Sequence, residues 1–495
     1  MNINISWGAM SDYLPTYWPQ ILFVLSIALG VPAAVHATMT KEEVRAAIGW
    51  VGVIILSPVI GAVIYAVVGI NRIRRSSISS QRAFLHEIGQ DHFLRFDATE
   101  KDVLAHFEKR YSAMKTLGDR VSRCRLTTGN SIVMLQSGDD AYHAMLEAIA
   151  AAERSVLVET YIFDRDKIGL RLADALIAAT RRGVEVRVLI DAVGARYSIP
   201  SIVGYLSKHG VKVDVFNGNI IMGLRLPYAN LRTHRKILVV DGKVVFTGGM
   251  NIRAGFSAEI AGEDNARDTH FRLTGPIVTD LFHIAAEDWR FATGEALSGE
   301  AWHIAAPDKQ SGAPVFIRAV PSGPDRSLEA NHKMLMGAFS IAQNHIRIMS
   351  PYFLPDRELI SALVTAARRG VEVDIVIPSN NNLKLVDRAM TAQFDQILKS
   401  HCRIWRASGN FNHSKLLSVD GTWAYVGSSN LDPRSLRLNF EVDLEVMDVE
   451  FASKVEGLVE KAMDSAKPVL LQHLRGRSFW VRLLDKIIWL GSPYL

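Results

Sequence analysis

Ala178-Ala179-Thr180-Arg181-Arg182-Gly183-Val184-Glu185-Val186 returns, one residue shorter, as Ala366-Ala367-Arg368-Arg369-Gly370-Val371-Glu372-Val373. A strand-like run precedes each copy: Ser155-Val156-Leu157-Val158-Glu159-Thr160-Tyr161-Ile162-Phe163 before the first, His345-Ile346-Arg347-Ile348-Met349-Ser350-Pro351-Tyr352-Phe353 before the second. Both units then read strand, amphipathic helix, Arg-Arg-Gly turn, strand. Gly183 and Gly370 stand where a helix end favours a left-handed residue, and the Val-rich runs after them read as strands. This alternation predicts an α/β sheet with helices on its faces. A unit this long, present twice, predicts two homologous domains and not a solenoid.

Working outward, the first domain is expected over residues 129–298 and the second over 315–467. A polar, Gly- and Pro-containing linker, 299–314, separates them. Residues 72–128 read as a less periodic basic connector and 468–495 as an amphipathic tail. At 495 residues the chain is too long for one small core. Its net charge of +5 suits an anionic partner such as a phospholipid surface. Two distant cysteines, Cys124 and Cys402, make neither a disulfide framework nor a zinc pattern and fit a reducing compartment.

Residues 13–40 and 46–71 contain no Asp, Glu, Lys or Arg. Ile21–Val35 and Ile48–Ile70 each offer roughly 20 spanning residues, so a two-span transmembrane hairpin is expected over residues 1–71. Pro32 and Pro58, awkward in a soluble helix, are tolerated in such spans. A cleaved signal peptide would need Lys or Arg ahead of its apolar run, and none stands there. Arg72, Arg74, Arg75 and Arg82 follow the second span, while Lys41 and Arg45 in the turn are offset by Glu42 and Glu43. That asymmetry puts the large body on the cytoplasmic side.

The chemistry-bearing residues repeat as well. His234-Arg235-Lys236 runs through an apolar stretch to Asp241 and on to Gly248-Gly249-Met250-Asn251; His413-Ser414-Lys415 runs likewise to Asp420 and to Gly427-Ser428-Ser429-Asn430. Side chains two apart on a strand share a face, so each His stands beside its Lys. Asp241-Gly242 and Asp420-Gly421 make the hairpin turns that follow. The chain then returns to a Gly-containing pair (Gly249 in one copy, Ser428 in the other) and an Asn. A lone His on a strand is ordinarily structural, but two His–Lys pairs at matched places in a repeat are not. Joined, the halves offer two imidazoles, two ammonium groups and two amides to one phosphodiester: cations on its oxygens, one His as nucleophile and one as acid. Asp241 and Asp420 belong to the motif and are carried in the catalytic set. Their turn positions on the opposite strand face nonetheless read as structural.

This H-x-K-x4-D-x6-G-[GS]-x-N pattern resembles the signature of the phospholipase D superfamily across both halves. The resemblance implies His234 or His413 as nucleophile, phosphate binding by Lys236, Lys415, Asn251 and Asn430, and two domains packed face to face. It further implies a carboxylate that orients each His. Glu441, in Asn439-Phe440-Glu441, falls at the expected place for His413, and Asp268 is the candidate for His234, with Glu263 and Asp264 close by. Gly249 departs from the Ser that many members carry, as this chain does at Ser428.

Within the superfamily the chain looks like bacterial cardiolipin synthases along nearly its whole length. The likeness is carried by Trp50 and Pro58-Val59-Ile60-Gly61, by Leu231-Arg232-Thr233-His234-Arg235-Lys236, by Ser350-Pro351-Tyr352-Phe353-Leu354-Pro355, and by Asn430-Leu431-Asp432-Pro433-Arg434-Ser435 leading to Glu441. It implies a phosphatidyltransferase of the bacterial cytoplasmic membrane. In that scheme His234 attacks phosphatidylglycerol, and His413 protonates the departing glycerol and then activates a second phosphatidylglycerol. The partners expected are phosphatidylglycerol or another anionic phospholipid and the membrane, not nucleic acid. Neither metal nor cofactor is expected, since two Lys neutralise the phosphate and the sequence holds no Walker-type loop. A hydrolytic phospholipase D and a membrane-anchored superfamily nuclease are the competing readings. Two apolar stretches have open readings: Ser478–Leu490 either lies on a membrane or packs on the body, and Ile220–Leu226 either meets acyl chains or is core.

Overall fold

The computed structural model describes residues 7–41, 43–70, 96–217, 231–304, 314–325 and 327–492, with backbone only for 7–16. The arginines at 72, 74, 75 and 82, the 220–226 segment and most of the linker lie outside the described residues. The chain divides into two units, Met1–Ile73 and Arg74–Leu495.

In the first unit, the helix Trp7–Thr40 contains an apolar stretch, Tyr17–Thr40, long enough to cross a membrane. The expected second span is interrupted. Pro58 has no N–H to continue a helix and its ring clashes with the preceding turn. The chain accordingly breaks at Ser57 into Val44–Leu56 and Pro58–Ile64, followed by a π-turn, Tyr65–Gly69. Thus one helix, not two, has spanning length among the described residues. The arms pack together: Tyr65 bonds His36 Nδ1 at 2.8 Å and meets the Trp50 ring edge-on. Gly61 is required here, because a Cβ would stand 2.5 Å from the Val53 carbonyl oxygen.

The second unit is built on one continuous sheet. The first repeat supplies β1 (Thr127–Leu135), β2 (Ser155–Thr160), β3 (Glu185–Asp191), β4 (Lys212–Phe216), a short β5 (Arg232–Thr233), β6 (Ile237–Val240), β7 (Val244–Gly248) and β8 (His270–Thr274). The second supplies β9 (Val315–Ser322), β10 (His345–Met349), β11 (Glu372–Pro378), β12 (Arg403–Ala407), β13 (Leu416–Val419), β14 (Trp423–Gly427) and β15 (Asn439–Met447), with β16 (Lys467–Pro468) at its edge. The two orders, 1-8-7-6-2-3-4 and 9-15-14-13-10-11-12, are the same order written twice. They join where β1 pairs antiparallel with β9, Thr127 opposite Ile317. The repeats therefore meet edge to edge, not face to face as expected.

Central strands are apolar on both sides because both faces are covered. Leu157, Val239 and Val245 face the helix Ile277–Thr293, and across the join Ala424, Val426 and Leu444 face Val449–Asp464 in the same core. Val156, Val158 and Val240 face the opposite way, onto the helices Gly138–Ala150 and Lys167–Arg181. Ile346, Ile348 and Val419 do the same toward Ala330–Ile341, Arg357–Arg368 and Lys384–Leu398. The result is a helix–sheet–helix sandwich spanning both repeats.

Part of the expected connector belongs to this body. The helix Lys109–Val121 buries Tyr111 and Met114 in the second repeat's core. Arg318 on β9 ties Asp119 of that helix to Glu445 on β15, at 2.7 Å each. At the other end, the helix Phe479–Leu490 packs on Lys384–Leu398, and Asp485, its buried residue, pairs with Arg477 at 2.7 Å. Phe479, Trp480 and Leu490 are left largely exposed.

Candidate active site

Each histidine is delivered by a strand lead-in that pairs with the other repeat. β5 runs parallel to the start of β15, Arg232 opposite Asn439, and the His234 amide donates to the Phe440 carbonyl at 2.8 Å. In mirrored fashion Arg267 bridges Asn412, and the His413 amide donates to the Arg267 carbonyl at 2.7 Å. These crossings decide which carboxylate meets which ring. His234 Nδ1 lies 2.9 Å from Glu441, and His413 Nδ1 lies 2.7 Å from Asp268. The expected pairing, Glu441 with His413 and Asp268 with His234, is thus reversed. Each ring is held by the opposite repeat.

The two carboxylates are seated differently. Glu441 accepts from Ser428 Oγ at 2.6 Å and from Asn439 at 3.3 Å. Asp268 is one methylene shorter and fills the space where the Ser side chain would be: a Cβ at Gly249 would stand 2.5 Å from its Oδ1. Gly249 therefore departs from Ser because Asp268 departs from Glu. Gly249 and Ser428 contact these carboxylates and, like Lys236 and Lys415, are not among the residues that line the cavity.

Lys236 and Lys415 are buried under the rings. Lys236 Nζ donates to the His234 carbonyl at 2.6 Å, and Lys415 Nζ donates to that of His413 and stands 2.9 Å from its Nδ1. Burial pushes Lys236 down to about 7 and Lys415 to about 8. It also lowers both imidazoles, and His413 reaches about 4 because Lys415 adds its charge. Burial alone would raise the carboxylates, but the neighbouring Lys and His charges hold Asp268 and Glu441 below their ordinary range. Near pH 7 each ring is thus neutral, its Nδ1–H given to a carboxylate and its Nε2 lone pair free.

His234, His413, Asn251 and Asn430 line one cavity of about 490 Å³. Asn251 Oδ1 accepts from the Ile162 amide at 3.2 Å, which leaves its NH₂ as the free donor. The motif aspartates are elsewhere. Asp241 accepts from the amides of Glu153, Arg154 and Ser155, and Asp420 from those of Gln343, Asn344 and His345. Both have positive φ, 53°, at the hairpin turn. They pin the turn to the start of β2 or β10, so their inclusion in the catalytic set is corrected to a structural role.

Sequence reasoning assigned no role to several cavity residues. Tyr161 meets His234 edge-on, centroids 5.0 Å apart, and Phe411 lies 5.9 Å from His413. Arg232 and Arg434 also line the space. Tyr161 and Tyr352 follow the C-terminal ends of β2 and β10, where open α/β sheets bind ligands. That position was the available signal. Away from the cavity, His332, Asp356 and Glu358 converge, with Asp356 already capping the helix Arg357–Arg368.

The model of the family described as cardiolipin synthase, phospholipase D-like domain, matches residues 145–265 and 335–463. The chain belongs to this family. A second model, described as phospholipase D-nuclease N-terminal, matches residues 28–69. The family member here is 31% identical to cardiolipin synthase A of Pseudomonas putida, over 98% of this chain and all of that one. It is 32% identical to cardiolipin synthase A of Pseudomonas aeruginosa, over 90% of this chain and 89% of that one. The crystal structure of a phosphatidylserine synthase from Haemophilus influenzae shares the fold, with a TM-score of 0.57 at 16% identity, over 77% of this chain and all of that one.

Proposed function

We propose that the chain is a cardiolipin synthase that transfers a phosphatidyl group from one phosphatidylglycerol to another. The carrying observation is the crossed constellation: two imidazoles at one cavity, each on the other repeat's carboxylate, with a buried ammonium group beside each. His234 Nε2 attacks the phosphorus, the bond to the glycerol oxygen breaks, and His413 supplies that oxygen's proton. The second lipid's glycerol hydroxyl then gives its proton to His413. Its oxygen bonds to phosphorus as the P–N bond breaks, releasing cardiolipin. Lys236, Lys415, Asn251 and Asn430 hold the nonbridging oxygens throughout. An anion bound between the Lys pair also favours a proton on His413, which the free site disfavours.

The match of residues 28–69 and the apolar helix support a membrane-associated enzyme. We further propose that Val44–Leu56 and Pro58–Gly69 together make a second crossing across the break at Ser57, with the body on the cytoplasmic side. The exposed Phe479 and Trp480 on the last helix fit contact with a bilayer surface. The test uses full-length protein in micelles of labelled phosphatidylglycerol, with products separated by thin-layer chromatography. The wild type is expected to make cardiolipin and glycerol, and folded His234→Ala and His413→Ala proteins to make neither. Cardiolipin at the wild-type rate from either variant refutes the scheme, and phosphatidic acid as the sole lipid product points to hydrolysis.

A further inference from the structure

We propose that Arg434, with Arg232 and the Tyr161 hydroxyl, forms a second anion subsite that holds the phosphate of the acceptor lipid. The proposal rests on the reading of this cavity as a site of lipid-to-lipid transfer. In such a transfer both substrates carry a phosphodiester. The first is gripped between the His–Lys pairs, and the second must enter a cavity that already holds an anion. Like charges at close range repel by several kcal/mol at the roughly intermediate dielectric of a protein cleft. The acceptor therefore needs cations of its own, set beyond the first pair.

Arg434 meets that need. It is half-buried, lines the cavity, and makes no ion pair or side-chain hydrogen bond among the described residues. Other arginines near the cavity are committed: Arg253 pairs with Asp164 at 3.1 Å, and Arg437 approaches Asp356 at 3.6 Å. Arg232 lines the same wall. It donates to its neighbour's carbonyl at 2.8 Å and is 3.9 Å from Asp191, whose oxygens already accept from the Val193 and Thr233 amides. Both guanidiniums line the cavity together with Tyr161, the ring that stands edge-on to His234. Asp432 also lines the cavity and feels the Arg434 charge, while its carboxylate accepts from the Ser435 amide and caps the helix Pro433–Arg437.

The two cations thus share one cavity with the imidazole that carries the phosphatidyl group. A glycerol unit separates a lipid's own phosphate from its terminal hydroxyl. An acceptor anchored at Arg434 and Arg232 can present that hydroxyl to the phosphorus while His413 takes its proton. Water and short alcohols, having no phosphate, gain nothing from the subsite. It is therefore a specificity device: it raises transfer to lipid over transfer to small acceptors.

Competition between acceptors tests this. Full-length protein in phosphatidylglycerol micelles is given ethanol, and cardiolipin and phosphatidylethanol are quantified together. Arg434→Gln removes a charge-assisted hydrogen bond and is expected to lower the cardiolipin-to-phosphatidylethanol ratio roughly tenfold or more. Arg434→Lys keeps the charge without the fork and is expected to fall between, and Arg232→Gln is expected to shift the ratio in the same direction. A wild-type ratio in every variant that still turns over overturns the subsite. A wild type that makes phosphatidylethanol and phosphatidic acid but no cardiolipin removes instead the transfer reading beneath it.

Discussion

Two oxygens 2.7 and 2.9 Å from two imidazole nitrogens carry most of the chemistry proposed for this molecule. Replacing Glu441 by Gln or Asp268 by Asn keeps the shape but removes the charge that fixes each ring's tautomer. Each change is expected to lower kcat on the order of 10²–10⁴-fold, the usual worth of a positioned acid or base. The crossing adds a sharper expectation: in a trapped single turnover, Glu441→Gln slows formation of phosphohistidine at residue 234. Phosphohistidine forming there at the wild-type rate would contradict the pairing. The Gly249 and Ser428 sites should respond unequally. Ser428→Gly loses the hydroxyl that donates to Glu441 and accepts from the Val442 amide, bonds worth about 1 kcal/mol each. Gly249→Ser instead forces a Cβ against Asp268 and should cost more in both melting temperature and activity. The lysines set the pH behaviour. With Lys236 near 7 and Lys415 near 8, the cationic forms that bind phosphate are lost as pH rises through those values. The kcat/KM profile should therefore fall on its alkaline side in that window. The kcat profile should hold to higher pH, because a bound anion keeps both lysines charged. A kcat/KM flat from pH 6 to 9.5 would rule this out.

At the scale of elements, the β-hairpin turn has the structural part that its place on the opposite strand face suggested. Asp241 and Asp420 share a motif with the catalytic pairs, yet each spends its oxygens on three backbone amides of a neighbouring strand's entry. Asp420→Ala strands those donors and is expected to destabilise the fold by about 2–4 kcal/mol. Calorimetry would show the loss, while enzyme that remains folded should keep a near-normal kcat. A large fall in kcat at unchanged melting temperature would return Asp420 to the chemistry. The strands, the Arg-Arg-Gly helix ends and the hairpins were legible because period-two and period-3.6 patterns repeat in the sequence. The broken second arm of the N-terminal hairpin was less so. Composition counts apolar residues and is nearly blind to the one proline, Pro58, that interrupts the hydrogen-bond ladder.

For the whole molecule, the join of β1 to β9 makes the two repeats one cooperative structure, with a core that runs through both. Calorimetry of the full chain should then show one main transition for the body, where two independent domains would give two. Across the same join, each imidazole finds its carboxylate in the other half. The sequence by itself determined the inventory: two α/β units, an apolar N-terminal segment, and two copies of His, Lys and Asn at matched spacing. Those follow from local periodicity and from duplication, which any linear reading can see. Only the tertiary structure decided that Glu441 serves His234 and Asp268 serves His413. The partners are 207 and 145 residues apart, and a carboxylate that follows the motif in each repeat fits either pairing. The choice is made by the parallel register of β5 on β15 and of Arg267 on Asn412, long-range backbone pairings that leave no periodic trace in the chain.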